Sequence, residues 1–411
     1  MPVNSGDTSW LLMSTALVWL MTPGVALFYG GMVRRKNVLS TMMMSFAVIA
    51  LVSILWVLYG YSIGFGPDKG GIIGGLNWVG LIGVGQDPSS VYASTVPHLA
   101  FMSFQATFAI ITAALITGSS VERIKFSALF AFLALWFTLV YCPVAHWVWG
   151  DGGWLANLGA LDFAGGTVVH VNAGVTALAL ALVLGPRKGF KQKEPMEPGN
   201  IPMVVLGAVL LWFGWFGFNA GSALTAGGLA SSAFIATNTS AAAAALTWMI
   251  LGWINRRPSV LGTATGAVVG LVAITPAAGF VHPLAGIPIG VVASILSYYA
   301  MIWRIKAGKV DESLDVFACH GVGGAWGALA TGIFAHLAVN SAGADGLLYG
   351  GGMQVFRQLA AVGATCVYVF AVSWVLARIL KAIMGLRVSE NEEVVGLDIS
   401  QHGERAYGGT S

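Results

Sequence analysis

The chain reads as an all-α polytopic membrane protein of eleven transmembrane helices, a five-plus-five inverted repeat followed by one further span. Three observations predict it. Of the 411 residues, 57% are hydrophobic and only 9% charged, against about 25% charged in soluble domains. A core cannot absorb that much apolar surface, so the outer solvent is lipid. Eleven segments also reach the length of about 20 apolar residues that a helix needs to cross the hydrocarbon layer. With eleven crossings, 18 of the 20 basic residues fall in connections on one side. One span more or fewer would scramble that division. Basic residues in short loops stay cytoplasmic, which places the N-terminus outside and the C-terminus inside.

The first span, 10–32, has no basic stretch before it and no obvious small-residue cleavage site, so it is expected to be retained. Arg34, Arg35 and Lys36 follow, then the second span, 39–65. The third, 97–118, returns past Lys69 to Arg123 and Lys125, and the fourth covers 126–149. The fifth, 163–185, opens on Asp162 and a glycine pair and holds His170; Arg187, Lys188, Lys191 and Lys193 come next. The sixth, 201–221, is rich in aromatic residues, and the seventh, 231–254, ends at Arg256 and Arg257. The eighth, 260–280, carries Gly262, Gly266 and Gly270 four apart; the ninth, 284–303, carries Gly286 and Gly290 and leads to Arg304, Lys306 and Lys309. The tenth, 316–338, follows Asp315 and holds His320, with Gly323 and Gly327 beyond. The eleventh, 353–385, starts beside Arg357, the other basic residue set apart from the cytoplasmic group. Residues 1–385 are thus a membrane domain and 386–411 a polar cytoplasmic tail, for which no fixed structure is expected without a partner.

An odd number of spans per half makes the halves inverted copies, an arrangement common in transporters. Glycines four apart let helix backbones approach closely where lipid removes the hydrophobic drive. Cys142, Cys319 and Cys366 lie in apolar runs without CxxC or metal-type spacing and read as small buried hydrophobes. No cofactor, metal site or nucleic-acid partner is expected. Nothing points to an enzyme: there is no GxSxG elbow, Walker loop, HExxH or GxGxxG after a strand, and no long soluble domain.

Ionisable groups inside a span are costly and usually mark a pathway or site. His170 and His320 sit 150 residues apart in corresponding spans, each after an aspartate. Packing, haem ligation and a shared pore are all open to them. At 1.5 Å per residue, His170 falls about 12 Å below Asp162 and His320 about 7.5 Å above Asp315. In a core of about 30 Å that leaves them roughly 10 Å apart in depth unless the tenth span starts inside the membrane. Asp162 and Asp315 read first as helix caps accepting backbone N–H bonds, and Asp162 could also favour a nearby cation. The aromatics Phe104, Phe108, Trp147, Trp149, Trp212, Phe213, Trp215, Phe216 and Phe218 crowd the outer ends of spans. They suit an interfacial belt or, for a few of them, a cage for a small cation worth roughly 0.5–2 kcal/mol per ring. Ser222 could add a hydroxyl acceptor.

At these residues the chain resembles the ammonium transporter (Amt/Mep/Rh) family, within it the bacterial and archaeal Amt branch. The likeness spans essentially the whole chain, through Pro23–Gly31, Phe108–Ile110, Glu122–Arg123, Ala145–Gly150, Asp162–Asn172, Gly214–Ser222, Thr275–Ala277, Asp315–Gly321 and Gly385–Val388. The resemblance implies eleven spans, an inverted five-plus-five core and a homotrimer with one pore per subunit in the cell inner (plasma) membrane. It places Phe108, Trp149, Phe218 and Ser222 at an outer ammonium site, with Asp162 the buried carboxylate that shapes it. Phe108 and Phe218 become a gate, His170 and His320 a hydrogen-bonded pair lining the pore. Trp215, Phe28, Tyr29, Val316 and Phe317 line or back the lumen, with Thr275 nearby. Trp149 favours Amt over Rh. A cytoplasmic P-II-type nitrogen-signalling protein is an expected partner by resemblance alone.

The expected mechanism follows from solvation. Ammonium in a dry tube of phenylalanine would cost tens of kcal/mol uncompensated, and ammonia far less. The economical scheme captures ammonium at the aromatic site, removes a proton there and passes ammonia along the histidines. A trapped proton would stop net uptake, so electrogenic transport is expected, with methylammonium as an analogue substrate. Two other classes stay open: a nitrogen sensor that conducts little, and a membrane redox protein with His170 and His320 as haem ligands.

Overall fold

The computed structural model describes residues 2–255 and 257–408. Of the predicted features, Arg256 and residues 409–411 of the tail lie outside these. In lipid every backbone polar group must be satisfied within the segment, so apolar runs of this length form helices. Nine helices among the described residues are long and apolar enough to cross a membrane: Ser5–Met32, Arg35–Phe65, His98–Thr117, Phe126–Leu158, Gly166–Leu184, Ile201–Gly221, Gly228–Asn255, Pro283–Ala307 and Met353–Ile383. They match nine of the predicted spans. The eighth is the shorter helix Val260–Ile274, which ends in a turn before Phe280. The tenth is the π-helical turn Phe317–Val322 continued by Gly323–Phe334. Eleven crossings are consistent with this arrangement.

The contacts between connections divide the two faces. Arg34 and Arg187 both reach Glu122, Arg187 also reaches Asp311, and Arg123 reaches Ser313. The loops after the first, third, fifth and ninth spans therefore share one face, the basic one, and the tail crosses it. On the opposite face Asp7, near the N-terminus, accepts from Ala226 N, and His146 reaches Asp68. Lys69 lies there, in a small hairpin pairing Asp68–Lys69 with Ile73–Gly74. That hairpin and the pairing of Pro88–Ser89 with Ala93–Pro97 have no counterpart in the apolar pattern, because each strand is only two to five residues long.

Small residues bring the helices together at two crossings. The first and sixth spans lie along each other. A Cβ on Gly207 would stand 2.4 Å from Phe28 N, and one on Gly217 2.9 Å from Ser14 O. The fifth and tenth cross just as closely: a Cβ on Gly174 would meet Gly321 N at 2.2 Å. Gly262, Gly266 and Gly270 rest on Trp248, Ala244 and Ser240 of the seventh span, so the spaced glycines serve the close packing their pattern predicts. Large apolar side chains such as Phe46, Ile54, Trp303 and Val367 are left exposed around the perimeter, where lipid suits them.

The tail departs from expectation. Instead of lacking structure it forms two short helices, Glu390–Val395 and Leu397–His402. Ser389 and Glu392 form a reciprocal capping box at the first. Asp398 accepts from Ser40 N at 2.8 Å, Leu397 N donates to Asn37 Oδ1 at 2.8 Å, and Arg387 pairs with buried Glu393 at 2.6 Å. The basic loops themselves are the partner that orders it.

Candidate functional site

The fifth and tenth spans build the centre of the molecule, and each does so with the same local device. His170 lies in the π-helical turn Gly166–Val171 and His320 in the π-helical turn Phe317–Val322. Such turns widen a helix by one residue and are frequent at functional sites. The widened turns cross through Gly174, Gly321 and Gly324, the last passing 2.8 Å (ideal Cβ) from the Cβ of His170. The two imidazoles meet Nδ1 to Nδ1 at 3.3 Å.

The depth mismatch disappears because both helices start well inside the molecule. Asp162 is buried, and its carboxylate accepts from Gly165 N (2.8 Å), Gly166 N (2.5 Å), Thr167 N (2.8 Å), Val168 N (3.3 Å) and the Thr167 hydroxyl. It is the expected cap, with more donors than one cap needs. Gly165 holds φ 115° to bring those amides round, a conformation that favours glycine. At the other end the segment Asp311–Val316 is likewise drawn inward, with Asp311, Glu312 and Val316 all buried.

On the side away from the basic face, aromatic rings close the path. Phe108 packs edge-on to Trp149 at 5.6 Å and against Phe218 at 4.4 Å between ring centroids. Phe108 and Phe218 are fully buried, whereas Trp149 and Ser222 are half-buried. Trp149 Nε1 donates to the Asp162 carbonyl at 2.9 Å, so the cap that starts the fifth span also aims the indole. Ser222 Oγ donates to Phe218 O at 2.8 Å, which leaves its oxygen lone pairs as acceptors. Directly beneath the phenylalanines, His170 stacks on Phe218 at 5.9 Å and on Trp215 at 5.4 Å.

The space around the histidines is a narrow cavity of about 10 Å³ bounded by Phe28, Tyr29, Ile111, Trp215, Phe218 and Val268. That is about the least space that can hold a single water. Thr275 binds three neighbours: its hydroxyl donates to Leu271 O at 2.8 Å, and its oxygen accepts Trp215 Nε1 at 2.9 Å and faces His170 Nε2 at 3.4 Å. Below His320 the cavity gives onto a vestibule of about 760 Å³ at the basic face; Phe28, Tyr29, Val268 and His320 border both. Val316 lines the vestibule too. Phe317 instead lies over Gly321, behind the wall. The sequence-predicted residues therefore gather into one column, with Phe317 at its edge.

Sequence reasoning missed several members. Met21 and Val25 on the first span and Leu211 on the sixth line the cavity beside the expected Phe28, Tyr29, Trp215 and Phe218. Their spacings of three, four and seven mark one helix face, a signal hidden in spans that are apolar all round. Thr167, whose hydroxyl completes the Asp162 cap, lies five residues on and gave no separate sign.

Comparison with known proteins places this column in context. The family model for the Ammonium Transporter Family matches residues 9–407. An ammonium transporter of Bacillus subtilis (strain 168) is 54% identical over 406 residues, covering 98% of this chain and 99% of that one. The crystal structure of Saccharomyces cerevisiae Mep2 superposes with a TM-score of 0.89 at 37% identity, over 95% of this chain and 88% of that one. A solved sensor Amt protein gives a TM-score of 0.89 at 29% identity, over 97% of this chain and 98% of that one. The match of sequence and architecture from end to end shows that the chain belongs to the ammonium transporter family.

Proposed function

We propose that this chain carries ammonium across a plasma membrane as separated ammonia and proton, entering at Trp149 and leaving through the basic vestibule. The observation that carries the reading is the histidine pair: two imidazoles bonded at 3.3 Å inside an otherwise apolar cavity, directly beneath a phenylalanine stack. In this reading ammonium loses its first waters at the half-open cup of Trp149, Phe108 and Ser222, where ring faces and a hydroxyl oxygen replace them. The Asp162 carboxylate, its oxygens already taken by backbone amides and Thr167, orients the cup and biases its field toward cations without touching the ligand. Phe108 and Phe218 close the way below. A bare cation behind them would face several kcal/mol of uncompensated desolvation, so the proton leaves the ammonium there and ammonia alone passes.

The hydrogen bonds support one assignment of the ring protons. The Thr275 hydroxyl proton goes to Leu271 O, and its oxygen already accepts from Trp215, so His170 Nε2 faces it as a donor. His170 Nδ1 is then an acceptor, His320 Nδ1–H donates to it, and His320 Nε2 is left with a free lone pair. Ammonia meets a string of alternating donors and acceptors, and a proton can run along the same string. Imidazoles bonded to each other in a cavity of about 10 Å³ do not fit a porphyrin between them, which weighs against the haem reading.

We orient the molecule with the basic face cytoplasmic, on the strength of the lysines and arginines gathered there. The N-terminus is then outside. We also propose a homotrimer; an apolar groove of about 430 Å³ between the sixth, seventh and eighth spans, lined by Val205, Val209, Trp212, Met249 and Val260, suits a neighbouring subunit. The tail laid over the basic loops offers a P-II-type signalling protein a folded surface. No catalytic turnover of a substrate is required by any of this. An ammonium pulse applied to proteoliposomes should give a current that methylammonium reproduces, that potassium does not, and that His170→Ala loses. The likeness to a sensor Amt protein favours a second reading, binding with little conduction. A protein that binds ammonium yet passes neither current nor ammonia would establish it.

A further inference from the structure

The vestibule end of the pore holds a carboxylate pair that neither capture nor the histidine string uses. Just before the tenth span, Asp311 is fully engaged: Arg187 grips both its oxygens at 2.8 and 2.9 Å. Glu312 differs. It is completely buried, its Oε2 accepts from Phe317 N at 3.1 Å, and its Oε1 has no partner. Among the described residues the only other buried carboxylate oxygen so placed is Asp398 Oδ2, in the tail. Asp315 follows with φ 57°, a left-handed conformation that non-glycine residues hold at a cost. It lines the same vestibule as Tyr29, Val316, Cys319 and His320, and its Oδ1 takes Arg304 Nε at 3.0 Å and Nη2 at 2.7 Å.

We propose that Glu312, with Asp315 beside it, is the proton-exit station of the pore, a carboxylate that accepts the proton arriving by way of His320 and releases it to the vestibule. This rests on the reading that a proton crosses with ammonia. In balance, ammonium gives ammonia and a proton at the outer cup. The proton passes to the imidazole string and then, by way of Asp315 at the vestibule wall, to the neighbouring buried Glu312 carboxylate, which goes from −1 to neutral. Release to vestibule water restores −1, and the proton joins the emerging ammonia as ammonium. The two oxygens of Glu312 divide the work: capping the tenth span occupies Oε2 alone, and the unpartnered Oε1 is left for the proton.

The surroundings suit a group that both takes and gives. Burial, with the neighbouring Asp315 charge, pushes Glu312 above the usual carboxyl range, and Arg304 pulls the other way. The other groups facing the pair are Arg187 and Asp311 from the basic loops, Tyr29 from the first span and Cys319 from the tenth. Acid–base transfer is most effective for a group near the operating pH.

The test uses the full chain in proteoliposomes, with ammonium-driven current recorded while pH on the vestibule side is stepped from 8 to 6. In the wild type the current should fall over that step as the acceptor fills. Glu312→Gln keeps an oxygen for Phe317 N but accepts no proton; it should lower the current at least about tenfold and flatten its pH dependence. The ammonium concentration for half-maximal current should stay put, because the outer cup is untouched. Glu312→Asp, which keeps a carboxylate, should restore both current and pH profile. Monodisperse Glu312→Gln protein with the wild-type current and profile would overturn the proposal, as would an equal loss in Glu312→Asp, which would mark Glu312 as a cap only. Absence of current in the wild type would instead defeat the electrogenic reading beneath it.

Discussion

The fifth and tenth spans are the same device in two environments. Both begin inside the protein, both present a histidine from a π-helical turn, and both depend on buried carboxylates at their start. The fifth is held by one carboxylate, Asp162, whose partners are four backbone amides and a hydroxyl from its own chain segment. The tenth is held by ions from across the molecule: Arg187 joins Asp311 to Glu122, which also binds Arg34 and Asn37, and Arg123 donates to Asp311 O and Ser313 Oγ. The first arrangement is local, rigid and sealed by aromatic rings. The second is assembled from several loops and opens on the vestibule. The two spans are matching scaffolds; the chemistry of each entrance is then set by what surrounds the first turn.

The comparison breaks most readily at the ionic end. Glu122 is fully buried between two guanidinium groups, so Glu122→Gln leaves two cations facing each other with their acceptor neutralised. Breaking a buried pair in this way costs about 3–5 kcal/mol, and thermal unfolding of the purified protein in detergent should show it. The same charge gives a pH signature. The Arg187 and Arg34 charges outweigh burial and hold Glu122 down at about 2, below its ordinary carboxyl range. A depressed carboxylate contributes stability that is fully present above its unfolded value and is lost as pH falls toward the folded one. Stability should therefore drop between about pH 4.5 and pH 2 by about 3 kcal/mol, and Glu122→Gln should lack that drop. An unchanged acid profile in the variant would remove the ionic half of the contrast.

At the other entrance Asp162→Ala removes the acceptor of five donors at once and should cost about 2–3 kcal/mol. Asp162→Asn, which keeps two acceptor lone pairs but no charge, should recover part of the stability. If the charge also biases the cup toward cations, the Asn variant should remain folded and still bind ammonium weakly, measured by isothermal titration. Equal binding in Asn and wild type would leave Asp162 a cap alone.

How much of this was legible beforehand follows from which signals are periodic. Span positions and the sidedness of the basic loops were plain, because apolar length and loop charge are read one segment at a time. The cluster of Phe108, Trp149, Phe218, His170 and His320 was legible through the family resemblance. Ruler geometry alone put the histidines about 10 Å apart, because it took Asp162 and Asp315 to lie at the membrane surface. The inward starts depend on amides wrapping a carboxylate and on an arginine arriving from another loop, neither of which leaves a local pattern. The tail was misjudged for the same reason: polar composition reads as disorder, while its order comes from Asn37, Ser40 and Arg387 meeting groups hundreds of residues away in sequence. The π-turns at both histidines were also invisible, since one extra residue per turn barely shifts an all-apolar pattern.

The crossing itself can be tested with a single methyl group. A Cβ at Gly174 would meet backbone at 2.2 Å, which cannot yield, whereas one at Gly363 meets nothing within 4 Å. Gly174→Ala should cost about 1–3 kcal/mol and part the histidines, abolishing current, while Gly363→Ala should be silent in both assays. A functional Gly174→Ala protein would show that the two spans need not touch.

The smallest effect should fall on the outer cup, where the contrast between sealed and open ends is sharpest. In the proposed cup Trp149 lends a ring face to the cation and little to the fold, since its indole is half-buried and tied by one hydrogen bond to the Asp162 carbonyl. Trp149→Leu keeps an apolar side chain of moderate size and loses the quadrupole. A cation–π contact of about 0.5–2 kcal/mol predicts a rise of roughly 2- to 30-fold in the ammonium concentration giving half-maximal current, with the maximal current nearly unchanged. If maximal current falls instead while that concentration holds, the ring belongs to the gate with Phe108 and Phe218, and capture rests on Ser222 and the field of Asp162.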